Sequence, residues 1–136
     1  MVKMKAVYEG DLHCLITHGP SGSTIETDAP VDNMGKGERF SPTDLLAASL
    51  GSCMLTVMGI AAQNHKVDLA GTTVEIEKEM VAQPLRRIGM VTLRFRMAPG
   101  IAVDKRPLLE RAAAACPVRK SIGQEVEMPV SFEYPD

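Results

Sequence analysis

The chain has 136 residues, of which 45% are hydrophobic and only five are aromatic, and its formal net charge is −2. This length favours one domain, spanning residues 1–136, with an aliphatic core that needs no disulfide staples. The slightly acidic balance argues against a nucleic-acid-binding surface, and the scarcity of aromatic rings disfavours modules that stack bases or sugars.

The first residues have no apolar signal-peptide core, so we expect a cytoplasmic protein. Its three cysteines are too few and too scattered for a disulfide framework: Cys14, Cys53 and Cys116. In a reducing compartment, scattered thiols are either inert core side chains or groups that take part in chemistry. Cys14 falls on a predicted strand with no neighbouring cation, so we expect it to be dispensable for any redox reaction.

Three short strands are predicted at the start of the chain. Val2–Tyr8 and Leu12–Thr17 are apolar runs on either side of a glycine turn, and Ser23–Thr27 follows a second turn, so the pattern indicates a small antiparallel meander. The next segment, 28–40, has no periodicity. At about 13 residues it is longer than a plain connection, which favours a functional or interface role.

A long stretch without charge, from Leu45 to Ala62, predicts a helix that is apolar on every side. Ser41 and Pro42 suit its N-cap and its first turn. The 18 uncharged residues reach the lower limit for a membrane span. However, several positions are small or carry hydroxyl groups, and no basic cluster flanks the stretch, so a buried core helix is the better interpretation.

The second half of the chain combines alternating strands with a helical segment. Thr72–Val81 and Arg87–Met97 alternate apolar and charged residues, so their glutamates and arginines are expected to pair across a solvated face. A helix capped by Asp104 is expected to continue through Leu108–Ala115, followed by a further helical turn. Val126–Tyr134 is expected to finish the chain as an edge-type strand.

This order of elements predicts the α+β class, with an antiparallel sheet packed on the long apolar central helix. One short sheet can cover only one side of such a helix. The rest of its surface must contact the second helix or another copy of the chain, so we expect an intimate homodimer.

Cys53 and Cys116 occupy unusual positions. Cys53 lies in the middle of the core helix, and Cys116 stands at a helix break because Pro117 disfavours helical geometry at the preceding residue. The histidines have no recognisable metal-ligand spacing to either cysteine, so no metal site is expected. No local pattern marks the imidazole base of a cysteine hydrolase. A redox pair of cysteines needs fewer groups than a hydrolase, because one thiol can be oxidised to a sulfenic acid and a second thiol can condense with it to a disulfide.

A buried thiol needs a nearby cation to ionise, because burial raises its pKa. Arg39 is the candidate for Cys53, since it ends the loop that leads into the core helix. Arg119 and Lys120 are the alternatives, and they lie beside Cys116. The residues alone therefore leave open which cysteine attacks, because Cys116 has the more obviously electropositive neighbours in sequence.

Two segments, the cysteine-bearing SPTDLLAASLGSC and the downstream AAAACPV, resemble the OsmC/Ohr family of thiol-dependent peroxide-handling proteins. The resemblance covers nearly the whole chain. It implies an OsmC-like homodimer of intertwined α+β subunits with two sites at the subunit interface. It further implies that Cys53 attacks an organic hydroperoxide and Cys116 resolves the oxidised thiol, with no cofactor and with an external dithiol as reductant.

One position departs from the family pattern. Thr43 stands where peroxidase members commonly carry a glutamate that positions an arginine beside the thiolate, and the acid follows one place later, at Asp44. One residue along a helix turns a side chain by about 100°. Two hypotheses therefore remain open: a thiol peroxidase for organic hydroperoxides that uses Asp44 in this role, and a non-catalytic or ligand-binding dimer whose cysteines are retained core thiols.

Overall fold

A computed structural model describes residues 1–135, which group into two compact units that meet between Leu46 and Ala47 in the sequence. The first unit begins with an antiparallel sheet in the order of its strands: β1 (Met4–Gly10), β2 (His13–His18) and β3 (Thr24–Asp28). Left-handed conformations at Asp11 and Leu12 form the tight turn between β1 and β2. The predicted meander is confirmed, and its strands begin and end within two residues of the expected bounds.

The central helix, α1, spans Pro42–Asn64, so proline occupies its first turn as expected. Its buried residues lie on one face, where neighbours are three or four positions apart except for the adjacent pair Leu50 and Gly51: Ala47, Leu50, Gly51, Met54, Met58 and Ala62. This spacing is that of a helix which packs on one side. Other apolar residues of α1 are exposed within the single chain, among them Leu46 and Ile60.

By length and composition, α1 could also cross a membrane. Its most apolar 18-residue window has a mean hydropathy of 1.9, and 33% of that window is buried. One such helix is weak evidence for a span, because the core helix of a globular domain has the same properties. Leu50, Met54 and Met58 belong to the hydrophobic core of the second unit, so α1 is a core helix.

The second unit contains a separate three-stranded sheet: β4 (Thr73–Val81), β5 (Arg87–Arg96) and β6 (Val130–Glu133), in that order. β4 and β5 are antiparallel, whereas β6 is parallel to β5. The α+β class is confirmed. The expectation of antiparallel pairing throughout is wrong for β6, because the helices between β5 and β6 carry the chain back to the same end of the sheet before β6 begins.

Charged residues cover the solvated face of β4 and β5, as predicted. Glu75 lies opposite Arg94 in the register, and Arg94 Nη1 lies 2.7 Å from Oε1 of Glu77. All of these side chains are near the surface, so each pair contributes only about 0.2–1 kcal/mol. This charge pattern therefore belongs to the scaffold.

Two short helices follow β5: α2 (Arg106–Ala114) and α3 (Pro117–Ser121). The expectation that Asp104 caps α2 is wrong, because Asp104 lies within a preceding 3₁₀ turn and Lys105 takes the cap position. The final strand is also shorter than predicted. Proline at 129 has no N–H to donate, so the segment before it forms only an isolated bridge, Met90 with Glu127.

Candidate redox site

The two cysteines that the sequence singles out lie together in the second unit. Cys53 is on α1 beside the buried Met54 and is partly exposed, whereas Cys116 is fully buried between α2 and α3. Both are free thiols, and their side chains are within hydrogen-bonding range of each other. Residues 63 positions apart in sequence are thus brought into contact.

The local sequence explains the position of Cys116. Alanines end α2, and the Cys116 N–H still donates to the carbonyl of Ala113 at 3.2 Å. Pro117 then forces an extended conformation on Cys116 and starts α3. The sulfur of Cys116 caps this short helix by accepting the N–H of Arg119 at 3.5 Å. A helix break therefore holds the thiol in the core.

Burial raises the pKa of the Cys116 thiol, and the hydrogen bond with Cys53 raises it further. The backbone N–H groups of Arg119 and Val118 act in the opposite direction. Within residues 1–135, no basic side chain contributes to this shift. Arg119 thus influences Cys116 through its backbone N–H, and Cys116 is protonated at neutral pH. The basic residues that follow Cys116 in sequence, Arg119 and Lys120, therefore do not convert its thiol to a thiolate.

A cavity of about 220 Å³ has Met54, the residue after Cys53 on α1, and Arg119 in its wall. The remaining lining is mostly apolar: Glu110, Ala114, Met128, Val130 and Phe132. The carboxylate of Glu110 accepts a hydrogen bond of 2.9 Å from the hydroxyl of Tyr134, whose pKa is raised by burial. The space suits a small organic group.

Arg39, the candidate cation, lies in the first unit. Its Nε is 3.5 Å from Oε2 of Glu26, and its side chain is about half exposed. Arg39 and Glu26 belong to a polar cluster around His13. The Nδ1 of His13 lies 2.5 Å from Oδ1 of Asp28, and its Nε2 lies 3.0 Å from Oε1 of Glu26. The hydrogen bond with Asp28 raises the pKa of His13. A role for Arg39 beside Cys53 stays a prediction.

Strand pairing also creates a grouping that sequence spacing did not suggest. Ligand-type atoms of Glu9, His13 and Glu26 all lie within 4.8 Å of one another. The signal for it was the register of the meander, which places His13 directly opposite Asp28 and within reach of Glu26. Glu9 lies four residues before His13 across the turn. A search for metal-ligand spacing along the chain therefore does not detect this cluster.

Asp44 forms a reciprocal cap at the start of α1. Its carboxylate accepts the N–H of Ser41 at 3.0 Å, and its own N–H donates to the hydroxyl of Ser41 at 3.0 Å. This is a capping box, and the signal for it was the S-x-x-D spacing before an apolar run. The structure thus gives Asp44 a structural role, and a catalytic role for it stays a prediction.

Replacing Asp44 with alanine should lower the free energy of unfolding by about 1 kcal/mol, because the carboxylate that accepts the Ser41 N–H is lost, together with its negative charge at the N-terminus of α1. Urea unfolding at one fixed protein concentration measures this effect. Asp104→Ala is the matched control, since Asp104 is an exposed aspartate on a 3₁₀ turn and its loss should stay within about 0.5 kcal/mol. Equal stabilities of the two variants would contradict the assigned cap.

Comparison with known proteins identifies the family. The family model described as OsmC-like protein matches residues 35–131, which include both cysteines. The chain belongs to the OsmC-like family. No curated protein matches it. Among solved structures, this OsmC-like chain is similar to a protein of Psychrobacter arcticus 273-4 that is named as an osmotic stress induced and detoxification response protein. The two chains are 44% identical, with a TM-score of 0.92 over 98% of this chain and 96% of that one.

Two more distant structures share the OsmC-like fold. An organic hydroperoxide resistance protein OsmC from Legionella pneumophila is 20% identical, with a TM-score of 0.76 over 98% of this chain and 96% of that one. The organic hydroperoxide resistance protein OhrB of Bacillus subtilis is 19% identical, with a TM-score of 0.68 over 98% of both chains. At these identities the similarity establishes the fold alone.

Proposed function

We propose that this OsmC-like protein reduces organic hydroperoxides with a pair of cysteines, of which Cys53 attacks and Cys116 resolves. The observation that carries the proposal is the contact between the two thiols, which a two-cysteine mechanism requires. The names of the more distant structural relatives, organic hydroperoxide resistance proteins, support the choice of substrate. A dithiol would restore the enzyme, and no cofactor takes part.

The two thiols differ in accessibility, and this difference supports the assignment of their roles. Cys53 is partly exposed on α1, so a substrate can reach it. Cys116 is fully buried, and burial raises its pKa, so it remains a thiol until an oxidised partner forms beside it. The cavity of about 220 Å³ that Met54 and Arg119 line offers a mostly apolar wall for the organic group of the substrate.

The reaction would proceed in two balanced steps. The Cys53 thiolate attacks the terminal oxygen of the hydroperoxide, the O–O bond breaks, and the organic fragment leaves and is protonated to an alcohol. Cys53 is thereby oxidised to a sulfenic acid. The Cys116 sulfur then attacks the Cys53 sulfur, forming the disulfide, and the displaced hydroxide combines with the Cys116 proton to give water.

One observation favours the second candidate, a non-catalytic or ligand-binding dimer with retained core thiols. The acid that would replace the family glutamate, Asp44, is engaged in the cap of α1. An arginine beside the thiolate would then need another partner, and Arg39 pairs with Glu26 in the first unit. The activity assay below separates the two candidates.

Treating the reduced protein with one equivalent of cumene hydroperoxide per subunit should consume the hydroperoxide and form the Cys53–Cys116 disulfide. Peptide mass mapping identifies the bond, and a chromogenic peroxide assay follows the consumption. A dithiol should then support repeated turnover. A hydroperoxide that persists in the presence of fully reduced protein would favour the non-catalytic candidate.

We further propose that the protein is a homodimer in the cytoplasm. In the first unit, residues 1–46, no apolar side chain is buried among those described. One face of its sheet is nevertheless apolar: Met4, Tyr8 and Ile25 on that face are 67%, 64% and 45% exposed. Exposed apolar surface of this kind, together with the uncovered side of α1, is typical of an interface.

Light scattering at micromolar concentration should give the mass of two chains. Ile25→Glu should weaken the dimer by at least about tenfold, because it places a charge on the apolar sheet face. Thr24→Glu, on the opposite face of the same strand, is the matched control and should leave the dimer intact. A monomeric wild-type protein would contradict the proposed assembly.

A further inference from the structure

The two sulfurs of a Cys53–Cys116 disulfide are not equivalent toward a reductant, because the two cysteines differ in burial. We infer that the external thiol attacks the Cys53 sulfur and that Cys116 is the leaving group, so that the mixed disulfide with the reductant forms only on Cys53. This inference rests on the proposed function for the identity of the disulfide, but it concerns the reductive half of the cycle.

Access is the first reason. Thiol–disulfide exchange requires the attacking thiolate to approach in line with the S–S bond, from the side opposite the leaving sulfur. For attack on Cys53, that approach begins away from Cys116 and therefore away from the core. Attack on Cys116 would require an approach through the packed core, where Leu109 and Ala113 are also fully buried.

The burial of Cys116 is a property of the single chain. Its exposed fraction is 0% without any partner, and association with a second copy can only cover more surface. Cys53, in contrast, is partly exposed on α1 before any association. In the proposed dimer Cys53 must stay open to the hydroperoxide, so the route that admits the substrate also admits the reductant.

The leaving group is the second consideration. Burial raises the pKa of Cys116, and a higher pKa makes a thiolate a slower leaving group. The N–H groups of Arg119 and Val118 offset part of this effect, because they donate to the sulfur on which the negative charge develops. Access dominates, since a sulfur that cannot be approached in line is not attacked at any leaving-group pKa.

The electron balance is that of two successive exchanges. The first thiolate of a dithiol attacks the Cys53 sulfur, the S–S bond breaks, and its electron pair passes to the Cys116 sulfur, which takes up a proton. The second thiol of the reductant then attacks the reductant sulfur of the mixed disulfide. Cys53 leaves as a thiolate, the dithiol is oxidised to a disulfide, and both cysteines are reduced.

The test uses the full-length Cys14→Ser protein, so that only the two relevant thiols are present. Diamide forms the Cys53–Cys116 disulfide without any hydroperoxide. A limiting amount of the monothiol glutathione is added, the mixture is acid-quenched at early times, and the released thiol is blocked with N-ethylmaleimide. Peptide mass mapping then assigns glutathione and maleimide to Cys53 or Cys116.

Glutathione should be found on Cys53 and maleimide on Cys116, in excess over the reverse pattern by more than about tenfold. The reverse pattern or an equal mixture would overturn the inference, as would the failure of diamide to form the disulfide. Because no hydroperoxide is used, an inactive peroxidase with the expected labelling would refute the proposed function and leave this inference standing.

Discussion

Cys53→Ser should reduce the consumption of organic hydroperoxide to the rate without protein. A serine hydroxyl is almost entirely protonated at neutral pH, and its oxygen cannot be oxidised to the equivalent of a sulfenic acid, so both the attack and the intermediate are lost. The measurement is the initial rate of cumene hydroperoxide loss with a dithiol reductant. Cys53 is only partly buried, so the substitution should leave the fold intact.

Cys14→Ser is the matched control for this variant. Cys14 lies on β2, paired with Tyr8 on one side and Thr27 on the other, in the first unit. It should retain the full rate. A loss of activity in folded Cys14→Ser would mean that the wrong thiol is assigned as the attacking one, and a wild-type rate no faster than that of Cys53→Ser would favour the non-catalytic candidate.

The elements that the sequence predicted well are those whose signals are local. The β1–β3 meander follows from apolar runs separated by turn residues, and the start of α1 follows from Ser41 and Pro42. The charge pairing of β4 with β5 follows from alternation in two adjacent strands joined by a short loop. In each case the residues that decide the structure are close together in the chain.

The elements that were wrong depend on how distant segments meet. The residues of β6 do not indicate its direction relative to β5. The parallel pairing follows from the crossover through α2 and α3. Likewise, Asp104 has the chemistry of a cap. However, the chain tightens into a 3₁₀ turn there, and α2 begins at Arg106.

The site shows the same division. The motifs around Cys53 and Cys116 suggested a functional pair. However, the position of Arg119 in sequence suggested a positive charge beside the Cys116 thiol, whereas that arginine contacts the sulfur through its backbone N–H. Burial, which only the structure supplies, distinguishes the two thiols: Cys116 is fully buried and Cys53 is partly exposed. The cluster around His13 was not predicted, because it arises from the register of β2 and β3.

Cys116→Ser should halt the cycle after one oxidation. Without added reductant, the wild-type protein should consume one hydroperoxide per subunit and end as a disulfide. The variant should consume the first hydroperoxide equally well and accumulate Cys53 sulfenic acid, because no second sulfur is available to condense with it. Serine should preserve α3, since its hydroxyl can accept the Arg119 N–H and serine is a favourable N-cap residue.

Mass spectrometry with the sulfenic-acid reagent dimedone distinguishes the two proteins. The variant should form a dimedone adduct on Cys53, whereas the wild-type protein should form almost none, because the disulfide closes first. With excess hydroperoxide and no dimedone, the variant should gain a second oxygen on Cys53 and become irreversibly inactive. Wild-type protein that forms the same adduct to the same extent would show that Cys116 does not resolve the sulfenic acid, despite its contact with Cys53 in the reduced state.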